Sequence, residues 1–198
     1  MSPSNESQTN ISLIDRLKNR DDSAWEHFEG FYGPIIYRFA LSQGLAHDAA
    51  EEVRSSSYMS VVNQIERFEY DQGKGRFRNW LLTIAARRIA DYRRRSIGVQ
   101  ADTRVLEAIE TEEEPPHEIW ERQWRQQILL EAFRRVEVRM GSEAREVFKR
   151  LIRESQPVAQ IASEMSISEN RIYKTKQRSI QMLREEISFL EQDPLTAG

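Results

Sequence analysis

Apolar residues recur at spacings of three and four along nearly the whole chain, and no strand-like alternation with turn chemistry appears anywhere. The sequence therefore predicts an all-α protein. Leu13, Ile14 and Leu17 mark a first amphipathic segment, and Trp25, Phe28, Phe31, Tyr32, Ile35, Ile36 and Phe39 continue the pattern. Gly33-Pro34 interrupts it, and a helix break is expected there because proline suits a first helical turn. Gly44 ends that helix, and residues 46–65 form the next. Phe68 to Arg76 reads as a loop, with Asp71, Gly73 and Gly75 inside it. Residues 77–95 then read as a long helix with Trp80, Leu81, Ile84, Ala85 and Ile89 on one face.

The stretch that follows breaks the pattern. Residues 97–118 are polar, acidic and closed by Pro115-Pro116, the composition of a flexible linker. Glu114-Pro-Pro-His117 is expected to be non-helical. A second helical block starts near Ile119, with Ile128, Leu129, Ala132, Phe133 and Val136 on one face and Val147, Phe148, Leu151 and Ile152 on another. The expected organisation is a disordered tail (1–10), a helical domain (11–96), the acidic linker (97–118), a second helical domain (119–190) and a tail (191–198). With 39% hydrophobic and 31% charged residues, two small domains with much exposed surface fit better than one large core.

The chain has no cysteine, which excludes disulfides and thiolate metal sites. No apolar run approaches the ~20 residues that span a bilayer. The opening MSPSNESQTN lacks the basic start and apolar centre of a signal peptide. A cytoplasmic protein without a membrane partner is expected.

The net charge of −3 conceals a sorting of charge along the chain. Between Gly73 and Arg95 stand Lys74, Arg76, Arg78, Arg87, Arg88, Arg93, Arg94 and Arg95, with Asp91 the sole acid. Between Val105 and Glu118 there is no Lys or Arg, while Glu107, Glu110, Glu112, Glu113, Glu114 and Glu118 are acidic.

Two stretches carry binding chemistry. Residues 157–165 form a short amphipathic helix opening with proline, Ser166-Ile167-Ser168 a turn, and residues 169 to about 190 a long helix. Ser168 is placed to cap that helix. Ile172, Ile180, Leu183 and Ile187 point inward, leaving Asn170, Arg171, Lys174, Lys176, Gln177 and Arg178 on or near the outer surface. This is the layout of a helix-turn-helix: basic residues hold phosphates while Arg, Asn and Gln can read base edges. The plainer reading, a helical hairpin with a solvated face, does not explain why the turn spacing, the small Ala162 and the basic face agree. In the second stretch Phe68, Tyr70, Phe77, Trp80 and Tyr92 interleave with the cations, a combination suited to unpaired bases and their backbone. Phe77 and Trp80 lie on the apolar face and are better explained as core.

Phe77-Arg78-Asn79-Trp80-Leu81, Ile84-Ala85 and Asp91-Tyr92-Arg93-Arg94-Arg95, with the Phe68-Glu-Tyr-Asp loop and the Gly75-Arg76 lead-in, closely resemble the promoter-melting segment of extracytoplasmic-function (ECF) sigma factors. The closing helix, with Ser168, Ile172-Tyr173, Lys176 and Arg178, resembles the same family. The resemblance covers about 11–95 and 119–188. It implies a sigma region 2 that binds the clamp helices of RNA polymerase and melts the −10 element, and a sigma region 4 that reads the −35 element and touches the polymerase flap. Promoter DNA and the polymerase core are the implied partners, and an anti-sigma protein a further one. The −10 contacts would come from Phe68, Tyr70, Lys74, Arg76, Arg78, Arg87, Arg88, Asp91, Tyr92, Arg94 and Arg95. The −35 contacts would come from Ser168, Asn170, Arg171, Lys174, Lys176, Gln177 and Arg178. The core contact would come from Glu52, Val53, Ser55, Ser56, Tyr58 and Met59. Two departures stand out. Ser55 and Ser56 replace the Gln and Glu common on the clamp-binding helix, and Arg87 stands where many members have Asn.

The alternative is an ordinary helix-turn-helix regulator of duplex DNA, which leaves the 68–95 combination unexplained. An enzyme fits poorly. His27, His47 and His117 lie on unrelated segments, and no phosphate-binding glycine loop or nucleophile elbow occurs. No cofactor, metal or small-molecule substrate is expected, and the acidic linker is a candidate phosphate-backbone mimic or a solvated spacer.

Overall fold

The computed structural model describes residues 14–69, 77–97 and 115–192. Residues 1–13, 70–76, 98–114 and 193–198, with the expected contacts Tyr70, Lys74 and Arg76 and the acidic run from Glu107 to Glu114, lie outside the described residues. Every regular element among the described residues is a helix, and the chain divides into two compact units between Gln127 and Ile128.

In the first unit, a helical turn at 14–18 buries Ile14 and Leu17 and leads to α1 (Asp22–Ser42). Asp21 caps α1: its carboxylate accepts from the Ala24 amide at 3.2 Å, from Ser23 Oγ at 2.8 Å and from Arg16 Nε at 2.8 Å. The Arg16 bond first, then Ser23 and the Ala24 amide, hold the Asp21 carboxyl far below its ordinary pKa. The break expected at Gly33-Pro34 does not occur, and α1 runs straight through Pro34. The missing amide costs one helical hydrogen bond, and burial of Phe31, Tyr32, Ile35 and Ile36 on both sides of it outweighs that loss. Gly44, with φ of +79°, makes the left-handed turn that frees the chain to reverse.

Helix α2 (His47–Gln64) packs on α1 through small residues, with Ala49, Ala50, Val53, Ser57, Ser60 and Val61 buried, and closes in a 3-10 turn at Ile65–Arg67. Helix α3 (Phe77–Ile97) adds Phe77, Leu81, Ile84, Ala85 and Ile89 to the core.

Helix α4 (Pro116–Arg139) begins earlier than the sequence suggested, and His117 is helical. A proline in the first turn needs no amide partner, so Pro116 opens the helix instead of preventing it. The first turns of α4 belong to the first unit. Trp120 is fully buried with its ring 5.3 Å from that of Phe39, and Trp124 lies 5.6 Å from Phe31 and 5.7 Å from Tyr32. The sequence had placed residues from 119 onward with the second block.

In the second unit, Ile128, Ala132, Val136 and Met140 are buried along and just beyond α4. Helices α5 (Ser142–Ile152), α6 (Val158–Met165) and α7 (Glu169–Gln192) enclose Val147, Ile161 and Ile172, with Leu151, Val158, Ala162, Met165 and Ile167 packed around them. Ile152 and Leu129, expected inside, are 43% exposed each. Ser166 takes the left-handed conformation, φ 54°, that ends α6, and the Ile167 amide donates to Ala162 O at 3.1 Å.

Candidate nucleic-acid interface

Helix α3 carries six cations, and most of them are engaged. Arg78 reaches Glu121 of α4 at 3.3 Å and lies over the Trp124 ring at 5.4 Å. Arg88 Nη1 meets Asp91 at 3.2 Å, and Arg94 donates to the same carboxylate. Arg93 donates to the Gln43 carbonyl, which ties α3 to the end of α1. Arg95 sits above Tyr92 and donates to Glu52 of α2 at 2.6 Å. Arg87 is exposed and makes no ion pair among the described residues. Phe68 is half-buried, 4.7 Å from Trp80 and 5.4 Å from Phe77, so these three rings pin the start of the loop to the start of α3. Phe77 is core as expected, whereas Trp80 stays half-exposed beside it.

On α2, Glu52, Ser55 and Met59 are exposed and Ser56 half-exposed along one stripe at three- and four-residue spacing, with Met59 54% exposed. Val53 and Tyr58 do not share that stripe. Val53 is 1% exposed, and Tyr58 packs 5.3 Å from Trp25 and 6.1 Å from Phe28. Burial, reinforced by the charges of Glu29 and Asp22, pushes the Tyr58 hydroxyl's pKa up. Residues 52–59 span more than two helical turns and cannot all face one way, which is why two of the six expected contacts turn inward. Glu52, Ser56, Arg88, Asp91, Arg94 and Arg95 line a cleft of about 460 Å³ between α2 and α3.

The helix-turn-helix presents its second helix openly. The Arg171 amide donates to Ser168 Oγ at 3.3 Å, the expected cap of α7. Asn170, Lys174, Lys176, Gln177 and Arg178 are exposed, and the three cations among them make no ion pair among the described residues. Arg171 is also exposed but grips Glu143 of α5 with two bonds, 2.7 and 2.9 Å. Tyr173, 49% exposed, shares the face with Asn170 and Gln177; the sequence marks it as part of the family motif but not among the expected DNA contacts, although its spacing from both places it there. Ile172 is buried as expected. Ile180 and Ile187 are half-buried, and Ser179, Leu183, Glu186 and Leu190 take the inner positions.

Glu186 was not foreseen. Its carboxylate meets Arg139 at 2.7 Å and Arg135 at 3.4 Å, and Arg135 also meets Glu131 at 2.7 Å. Burial pushes the Glu131 carboxyl up, but hydrogen bonds from Arg134 and Arg135 outweigh it and leave its pKa below the ordinary value.

No group of described residues could hold a metal ion, and no helix among them is long and apolar enough to cross a membrane.

The sequence family described as Sigma-70 region 2 matches residues 31–96, which are α1 from its middle, α2, the loop and α3. No curated protein matches the chain. Among solved structures, the RsbN-BldN complex contains a chain with 19% identity, covering 87% of this chain and 97% of that one, at a TM-score of 0.37. CnrH in complex with the cytosolic domain of CnrY shares 15% identity, covering 93% of this chain and 99% of that one, at a TM-score of 0.38. Residues 31–96 thus match a sigma-70 region 2, which covers a third of the chain.

Proposed function

We propose that the chain is an ECF-type sigma factor with a division of labour between its two units. The first unit docks on the polymerase clamp helices through Glu52, Ser55, Ser56 and Met59. It melts the −10 element with α3 and the Phe68–Arg76 loop, where a base leaves the stack and enters a protein pocket. The second unit reads the −35 element with the first half of α7 and touches the polymerase flap. The observation that carries this reading is the ordered pairing of a region 2 with an open, basic α7 in one chain. An ordinary duplex regulator has no use for the first of these.

An anti-sigma protein belongs among the partners on the family resemblance alone. Run-off transcription with purified core polymerase on a genomic promoter library tests the whole reading. Defined start sites that require this chain support it. Tight, sequence-specific duplex binding by the chain alone, with no transcription on adding core enzyme, would replace it with the regulator.

A further inference from the structure

We propose that residues 116–127 are an internal ligand of region 2, a strap whose Glu121 holds the place of a DNA phosphate on Arg78. The inference rests on the reading of α3 as a DNA-contacting helix.

The surface it occupies is made by Phe31, Tyr32, Phe39, Arg38 and Arg78, and the occupant is fixed by the structure. Trp120 and Trp124, one turn apart, stand edge-on to the α1 rings. Arg38 donates to Gln123 Oε1 and Gln127 Oε1, each at 3.0 Å. Both acceptors are neutral amides, and burial holds the Arg38 pKa below that of a free guanidinium. The apolar half of the contact is well made.

The polar half is not. Three buried polar atoms along this one contact have no hydrogen-bond partner among the described residues: Arg78 Nε, Glu121 Oε1 and Trp120 Nε1. Arg78 and Glu121 are close enough to attract, at 3.3 Å, yet their side chains are only 21% and 17% exposed and their geometry is poor. Each unsatisfied atom gives up its hydration without full return, so the strap is held by its tryptophans and weakened at its charges. A phosphate oxygen offers Arg78 the bidentate, charge-assisted bonds that Glu121 fails to give. Arg78 opens α3, the helix that follows the loop, so carboxylate and phosphate compete for one guanidinium.

Binding of fluorescein-labelled single-stranded dT20 by the full-length protein, measured by anisotropy across a salt series, tests this. Glu121→Gln keeps the shape of the strap and removes its charge. Folding is checked by the helical circular-dichroism signal and the melting curve. The expected result is a several-fold tighter complex and a log–log salt slope steeper by about 0.7, the contribution of one added phosphate contact on a single strand. Adding Arg78→Ala to Glu121→Gln should abolish both changes. Arg87→Ala serves as the control for the underlying reading. If Arg87→Ala weakens dT20 binding while Glu121→Gln alters neither affinity nor slope, the strap is only a structural helix and the inference falls. If neither substitution matters, α3 is not a DNA surface, and the reading beneath the inference falls with it.

Discussion

Helices α3 and α7 carry similar numbers of cations and present them in opposite ways. On α3 the guanidiniums of Arg78, Arg88, Arg94 and Arg95 rest on carboxylates of the same unit, and Arg93 on a backbone carbonyl. On α7, Lys174, Lys176 and Arg178 face solvent, whereas Arg171 is held by Glu143. Under the proposed function the contrast follows from two tasks. A helix that reads intact duplex meets a ready-made groove and can stay open to it. A helix that handles melted DNA has no substrate until the duplex is opened, and pairing its cations internally limits stray binding to nucleic acid in the meantime. The exposed pairs, such as Arg95–Glu52, stabilise little by themselves, so they yield readily to a phosphate.

The largest way to break this contrast is to remove the cover of α3. Trp120→Ala should cost about 3–5 kcal/mol in the first unit, the usual range for emptying a buried aromatic site. Chemical denaturation followed by aromatic circular dichroism should show it. A loss confined to the second unit's transition would mean that the first turns of α4 do not serve region 2.

Next in size is the buried charge behind α7. Glu186→Ala takes from Arg139 its carboxylate and leaves Arg135 with Glu131, and should cost about 1–3 kcal/mol, read from the second unit's unfolding midpoint. Promoter recognition at temperatures where the variant is folded should be unchanged, because the proposed reading face lies on the first half of α7.

Lys174→Ala sharpens the reading side. If Lys174 meets a base edge, upstream-element recognition falls by about 1–3 kcal/mol at one position. If it meets a phosphate, all sequences weaken alike and the salt slope drops by about 1. Competition binding of the polymerase holoenzyme to singly substituted upstream elements separates the two. Indifference of both would put the docking face elsewhere on the unit.

The smallest effect lies at the α1 cap. The depressed pKa of Asp21 means that the unfolded chain binds a proton there before the folded chain does, so stability rises with pH through that window. The contribution is complete above the ordinary carboxylate pKa of about 4 and fades as pH falls below it. Asp21→Asn should therefore flatten the acid limb of the first unit's stability profile and leave the second unit's limb alone. An unchanged acid limb would show the Arg16 pair to be inconsequential.

Much of this was legible in the sequence, and the reasons for the remainder are physical. The helix-turn-helix was read nearly in full because a capping serine, a small residue at the helix contact and a basic outer face are local signals. Val53 and Tyr58 were misplaced because the resemblance marks a run of residues, whereas a helix exposes a stripe. Pro34 misled because its cost is local and the burial that overrides it is not. The role of α4 was hidden by its own regularity. Trp120, Trp124, Ile128, Ala132, Val136 and Met140 are buried at every fourth position, a spacing that drifts about 40° per step around a helix. One unbroken pattern thus serves two cores in succession, and nothing in it marks the change at 127. The pairing of Arg78 with Glu121 joins residues 43 positions apart in the sequence, beyond the reach of any spacing rule.

The claim that α3 is held and α7 is open is tested most directly by Arg78→Ala in two settings. In the free protein, dT20 binding should be nearly unchanged, because Arg78 is already occupied. In holoenzyme, opening of the −10 region on a promoter found by run-off transcription, followed by permanganate reactivity of unpaired thymines, should fall several-fold. An equal loss in both settings would show Arg78 to be free from the start, and no loss in holoenzyme would show that it never reaches DNA. Either outcome contradicts the account.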